Sequence, residues 1–167
     1  NVRYVFQEAR HFLRLTDDKY DIISMEPSYP TDITTASLLS RECFISLKDH
    51  LNAGGIVSVY APGHLLRERY TDGVLKTLAG VFPYIHVWNA GAGDVIFICA
   101  LEPIRATPAD IQRRVAEGAE GEVLRDAIRF AARNRMIETI RDSDDIPVYT
   151  DDRVTLETAA TREFLRN

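Results

Sequence analysis

With 167 residues, 46% of them hydrophobic and 27% charged, the chain fits one globular domain with a single substantial core. The formal net charge of -5, with no basic stripe, argues against a nucleic-acid-binding footprint. No apolar run is long enough to cross a bilayer and no signal peptide is visible, so a cytoplasmic location is expected.

In chain order, Val2–Phe6 reads as a strand and Ala9–Leu15 as a short helix. Tyr20–Met25 is a brief apolar run suited to a buried parallel strand. It stops at Glu26-Pro-Ser-Tyr-Pro30, whose two prolines cannot continue a central strand. Thr34–Leu51 carries helical spacing, with Leu38, Leu39, Phe44, Leu47 and Leu51 on roughly one face. Asn52-Ala-Gly-Gly55 is expected to end that helix through a glycine C-cap. Ile56–Tyr60 is a second strand, and the βαβ order makes it a parallel neighbour of Tyr20–Met25. The acidic loop at Glu26 then lies at the carboxyl end of the first strand of that pair, where open α/β sheets bind ligands.

Leu65–Val81 reads as a helix despite Gly73 and Gly80. Tyr84–Trp88 and Val95–Leu101 form an antiparallel pair around the turn Asn89–Asp94. Beyond Pro103 the composition turns rich in Arg and Glu, with helices expected over 108–117, 122–134 and 136–141. An acidic break at 143–147, an extended stretch over Tyr149–Thr155 and a closing helix over 156–165 follow. Residues 1–103 are thus the α/β unit, and 104–167 a helical extension and tail packed on it. Trp88 and Phe82 are expected in the core. Cys43 and Cys99 read as two buried free thiols of a reducing compartment, not as a disulfide.

Few residues carry chemistry. His11, His50, His64 and His86 have no metal-ligand spacing, and no metal is expected. Ser28 lacks a G-x-S-x-G elbow, which removes hydrolase chemistry. Asp151 and Asp152, neighbours in an extended segment, face opposite ways and do not act as a pair; an Asp–Arg tie holding the C-terminal segment is the preferred reading. Asp94 reads as a turn residue.

The stretch YDIISMEPSYP followed by SRECFISLKDHLNAGGIVSVYAP resembles the spermidine synthase (aminopropyltransferase) family. It looks closest to the bacterial spermidine-synthase-like branch, with its YDVI–x–x–EPSNP, REFY and L–x–PGG pattern. Glu8-Ala-Arg-His-Phe-Leu13 resembles the family's DARxFL. Val81–Trp88 with Gly93-Asp94 resembles its VFP…W…GD segment. Thr150–Arg153 with Leu156-Glu157 resembles its TDDRPxLE. The ordered set spans most of the chain.

The resemblance implies a Rossmann-like class I S-adenosylmethionine-dependent methyltransferase fold, a three-layer αβα sandwich. The family's first strands, with their glycine loop and following acid, have no counterpart after Asn1. The chain is therefore expected to be the C-terminal part of a longer protein. In the family's sheet, two strands stand between Val2–Phe6 and Tyr20–Met25. Their place must be closed, forfeited or filled from another molecule, and self-association is expected.

By the same resemblance, Glu26 and Tyr29 stand at the catalytic positions of the acidic loop, and Glu26 and Ser28 at the acceptor-amine wall. Glu8 and Ala9 stand at the nucleoside edge. The co-substrate of the full-length protein is decarboxylated S-adenosylmethionine, or S-adenosylmethionine itself, and the partner is a small amine; this chain alone is expected to hold no cofactor. Two departures matter. Gln7 replaces a glycine, and Tyr29 replaces an acid with a phenol that ordinarily titrates near pH ~10. An alternative is a non-catalytic binding or assembly domain of the same fold, with upstream segments as the place for a membrane tether. Another is a methyltransferase, since fold alone does not choose among activities.

Overall fold

The computed structural model describes residues 2–27, 32–62, 68–91, 93–104, 113 and 146–152. Helix α1 (Ala9–Leu15) precedes strand β1 (Tyr20–Met25). Helices α2 (Ile33–Ser37) and α3 (Arg41–Asp49) lead to β2 (Leu51–Ala61), then α4 (Glu68–Ala79). The hairpin of β3 (Tyr84–Gly91) and β4 (Asp94–Ala100) follows. The four strands form one sheet in the order β1-β2-β4-β3. β1 and β2 run parallel, with Ile23 opposite Val57 and Met25 opposite Val59. β4 is antiparallel to both of its neighbours.

Alternation decides which face of the sheet is covered. Val57, Val59 and Ala61 on β2 and Val95, Phe97 and Cys99 on β4 are buried, whereas Ser58, Tyr60, Ile96 and Ile98 between them are half-buried. The buried face joins Leu13 of α1, Cys43, Phe44 and Leu47 of α3, and Val74, Leu75 and Leu78 of α4 in one core cluster. The described residues thus supply the sheet and one helical layer. The helices expected between 108 and 141, together with the unit 104–167, fall almost wholly outside them. Phe82 is in the core, as expected, while Trp88 is only half-buried. Both thiols are buried and unpaired. Burial pushes Cys43 and Cys99 up to about 12, so both are protonated at neutral pH.

Three expectations give way to the structure. Residues 2–6 form no strand. Val2, Tyr4 and Phe6 are 78%, 79% and 99% exposed, and among the described residues no strand lies beside them to complete a ladder. The single helix over 34–51 is broken in two. Asp32 caps α2 by accepting from the Thr35 backbone N–H at 2.9 Å. Ser40, in extended conformation, caps α3 by accepting from the Cys43 N–H at 3.3 Å. Finally, Asn52–Gly55 belongs to β2 and caps no helix; the C-cap of α3 is His50. Tyr20 pairs with Leu51 but Ile22 pairs with Ile56, so the extra residues bulge out of the parallel ladder. Gly54 supplies the left-handed φ of +72° that the bulge requires. A side chain at Gly55 would meet the Asn52 and Tyr20 carbonyl oxygens at 3.0 Å.

Residues 146–152 run across the helical layer. Tyr149 is 2% exposed; its N–H donates to Thr77 Oγ1 at 3.0 Å and its carbonyl accepts from the Arg41 N–H at 2.9 Å. The extended reading ends at Thr150, since Asp151 and Asp152 form a turn.

Candidate functional site

Because β1 and β2 are parallel, their carboxyl ends share one edge of the sheet. Glu26 leaves that edge directly after β1 and is exposed, and Pro27 after it is buried. Antiparallel β4 brings its first residue to the same edge. There Asp94 accepts the Tyr60 hydroxyl at 2.7 Å, a bond that gives Asp94 a partner beyond its expected turn role. Ser28 and Tyr29 lie outside the described residues.

On the open side of β1, a cleft of about 490 Å³ runs between the strand, α1 and the N-terminal segment. Val5, Ala9, Phe12, Ile22, Ser24 and Met25 line it, which makes it largely apolar. Its lining includes both Ala9, of the predicted nucleoside edge, and Met25, one residue short of Glu26. The structure therefore brings Ala9 and the base of the acidic loop onto one concave surface, the kind of place where small ligands bind. Ile22 is 65% exposed on this unpaired edge.

Glu8 is exposed and serves as the N-cap of α1. Its carboxylate accepts from the Arg10 N–H at 2.9 Å and the His11 N–H at 2.8 Å. Burial pushes its pKa up, but the two backbone N–H groups and the charges of Arg10 and Arg14 together outweigh this and hold it below the ordinary range. A carboxylate has about four lone-pair sites, so capping leaves Glu8 able to accept a further bond.

A polar groove of about 750 Å³ lies on the other side of α1, between it and α3. Arg14, Lys19, Glu42, Asp49, His50 and Asp151 line it, and Arg10 lines both this groove and the cleft. Arg10 Nη2 donates to Asp151 Oδ2 and Nη1 to the Ser37 carbonyl at 3.4 Å. The Asp151 bond raises the Arg10 pKa against the opposing effect of burial. Burial likewise pushes Asp151 up, yet hydrogen bonds from Arg10 and Ser40 and the nearby arginine charges hold it below the usual carboxylate range. Arg153, the arginine of the local cluster with Asp151 and Asp152, lies outside the described residues; the Asp–Arg bond described for this segment runs from Asp151 to Arg10. A spacing of 141 residues hides that pairing from any sequence motif.

Among the described residues, no group of histidine, cysteine and acidic side chains could hold a metal ion, and no helix is long and apolar enough to cross a membrane.

No protein-family model and no curated protein matches the chain. Solved structures do. One is a probable spermidine synthase from Corynebacterium glutamicum ATCC 13032, 15% identical, with a TM-score of 0.58; the match covers 90% of this chain and 54% of that one. Another is human methyltransferase-like protein 13 in complex with SAH, 17% identical, with a TM-score of 0.51, covering 81% of this chain and 57% of that one. The chain spans just over half the length of these relatives in structure. At such identities the likeness carries the fold alone: a Rossmann-like class I methyltransferase fold, incomplete in this chain.

Proposed function

We propose that this chain is the acceptor-side part of a spermidine-synthase-like aminopropyltransferase, acting within a longer polypeptide. The observation that carries the reading is the placement of Glu26. It is an exposed carboxylate at the carboxyl edge of a parallel strand pair, directly after Met25, which lines a cleft that Ala9 also lines. In the reaction, the acceptor amine nitrogen attacks the aminopropyl carbon next to the sulfonium of decarboxylated S-adenosylmethionine. The C–S bond breaks, its electron pair stays on sulfur as a neutral thioether, and the amine loses a proton. A sulfonium leaves readily, so the protein's task is alignment and proton removal. Glu26 serves both, attracting a cationic amine and accepting its proton. Glu8 and Ala9 form the nucleoside edge, with a free acceptor position on the capping carboxylate for an exocyclic amino group. Ser28 and Tyr29 complete the acceptor wall.

The test is a transfer assay on the longer polypeptide containing this stretch, with a diamine acceptor and either decarboxylated S-adenosylmethionine or S-adenosylmethionine. Mass spectrometry of the acceptor separates the two chemistries. Aminopropylation supports the reading, methylation turns it to the methyltransferase alternative, and no transfer turns it to the non-catalytic module. The 167-residue chain alone is expected to hold neither nucleoside tightly, because the glycine-loop N–H groups and ribose-binding acid of the family have no counterpart in it.

The same reading extends to assembly. Among the described residues, the outer edge of β1 has no strand partner, and residues 2–6 present an extended run of exposed apolar side chains. A second copy of the chain supplies what each lacks. Light scattering of the 167-residue chain at several concentrations should show its mean mass rising with concentration. A constant monomer mass rules this assembly out.

A further inference from the structure

Helix α1 has seven residues, about two turns, too short to persist in water without tertiary support. Leu13 is its one buried residue, and the side facing β1 opens onto the cleft. Its first turn needs a second anchor. Arg10 provides it: the side chain is only 14% exposed, and the guanidinium forks between the Ser37 carbonyl and Asp151. Asp151 is itself held. Its backbone N–H donates to Glu42 Oε2 at 2.9 Å, and two residues earlier Tyr149 is locked into α4 through Thr77 and joined to the start of α3 through Arg41. A continuous set of bonds therefore runs from α4 and α3, through the 149–151 segment, to the N-terminal turn of α1.

We propose that Asp151 is a positioning residue: through Arg10 it fixes the N-terminal turn of α1, and with it Glu8 and Ala9 at the rim of the cleft. The relevance of that rim to a nucleoside rests on the function proposed above; the positioning does not. Asp151 touches no reacting atom. Its geometry gives the Thr150-Asp-Asp segment a task that its sequence alone does not reveal: the C-terminal segment sets the position of a helix near the other end of the chain.

Amide hydrogen exchange on the 167-residue chain tests this. In D151N, the amides of Phe12–Leu15 should lose about five- to tenfold of their protection while those of β2 and β4 keep theirs, the size expected of a charge-assisted hydrogen bond at a half-exposed site. D151E, which keeps the charge, should recover most of that loss. R10Q should loosen the same amides, and R10Q/D151N should be no worse than the more severe single variant, because both remove one interaction. Unchanged α1 protection in D151N, additive losses in the double variant, or equal losses in D151E and D151N would each overturn the proposal. Should the exchange pattern hold while the longer wild-type polypeptide transfers nothing, the functional reading fails and the positioning stands.

Discussion

Replacing Gly73 by alanine should destabilise the chain by about 1–3 kcal/mol, although glycine to alanine inside a helix ordinarily stabilises by about 1 kcal/mol. The reversal comes from Tyr149. A methyl group on Gly73 would lie 2.6 Å from the Tyr149 hydroxyl and 2.8 Å from two ring carbons. Tyr149 is 2% exposed and fixed at both its backbone N–H and its carbonyl, so the ring cannot swing aside without leaving the core. Tyr149→Ala should cost more, about 3–5 kcal/mol, as expected for truncating a buried aromatic ring. The double variant discriminates. With the ring gone, the three closest contacts of the methyl group go with it, so G73A/Y149A should be no less stable than Y149A alone, and up to about 1 kcal/mol better. Urea unfolding of the four proteins reads this directly. A stabilised G73A, or simple additivity, would mean that Tyr149 does not occupy the groove beside α4.

The fold was legible wherever local pattern and tertiary partner agree. Val57, Val59 and Ala61 alternate with half-buried residues, and the period of two survives in the sheet. The β3–β4 turn was readable because Gly91 and Gly93 take positive φ values of 92° and 89°, a need that glycine advertises. Errors came where the same letters serve two structures. Gly54 and Gly55 suit a helix C-cap and a bulge equally well; pairing with Tyr20, not propensity, makes them a bulge. The break between α2 and α3 was signalled by Asp32 and Ser40, both good N-cap residues, but the continuous apolar face from Leu38 to Leu51 masked it. Val2–Phe6 has the composition of a strand but no partner strand among the described residues, and β structure depends on the partner. In the candidate site, Glu26 was visible because two prolines and a strand end frame it. Arg10 was not, because its partner lies 141 residues away, beyond the reach of any local motif.

In the longer polypeptide, Glu26→Gln should lower the turnover of aminopropyl transfer by more than about a hundredfold, the scale of losing a general base. Glutamine keeps the length and shape of the side chain, so the change removes charge and basicity more than geometry. The two tasks assigned to the carboxylate separate in the kinetics. Loss of proton acceptance lowers kcat, and loss of attraction for a cationic amine raises KM for the acceptor. A rise in KM with kcat unchanged would leave Glu26 as an acceptor-binding wall and assign the proton elsewhere. Tyr29→Phe should have a smaller effect, since a phenol that ordinarily titrates near pH ~10 is mostly protonated at neutral pH and a poor base there. Asp94 marks the contrast along the same sheet edge: it already accepts the Tyr60 hydroxyl, whereas Glu26 stands exposed at the mouth of the loop. Glu26→Gln with wild-type kcat and KM would take the residue out of the mechanism. The incomplete methyltransferase-type fold would then read as a binding or assembly domain.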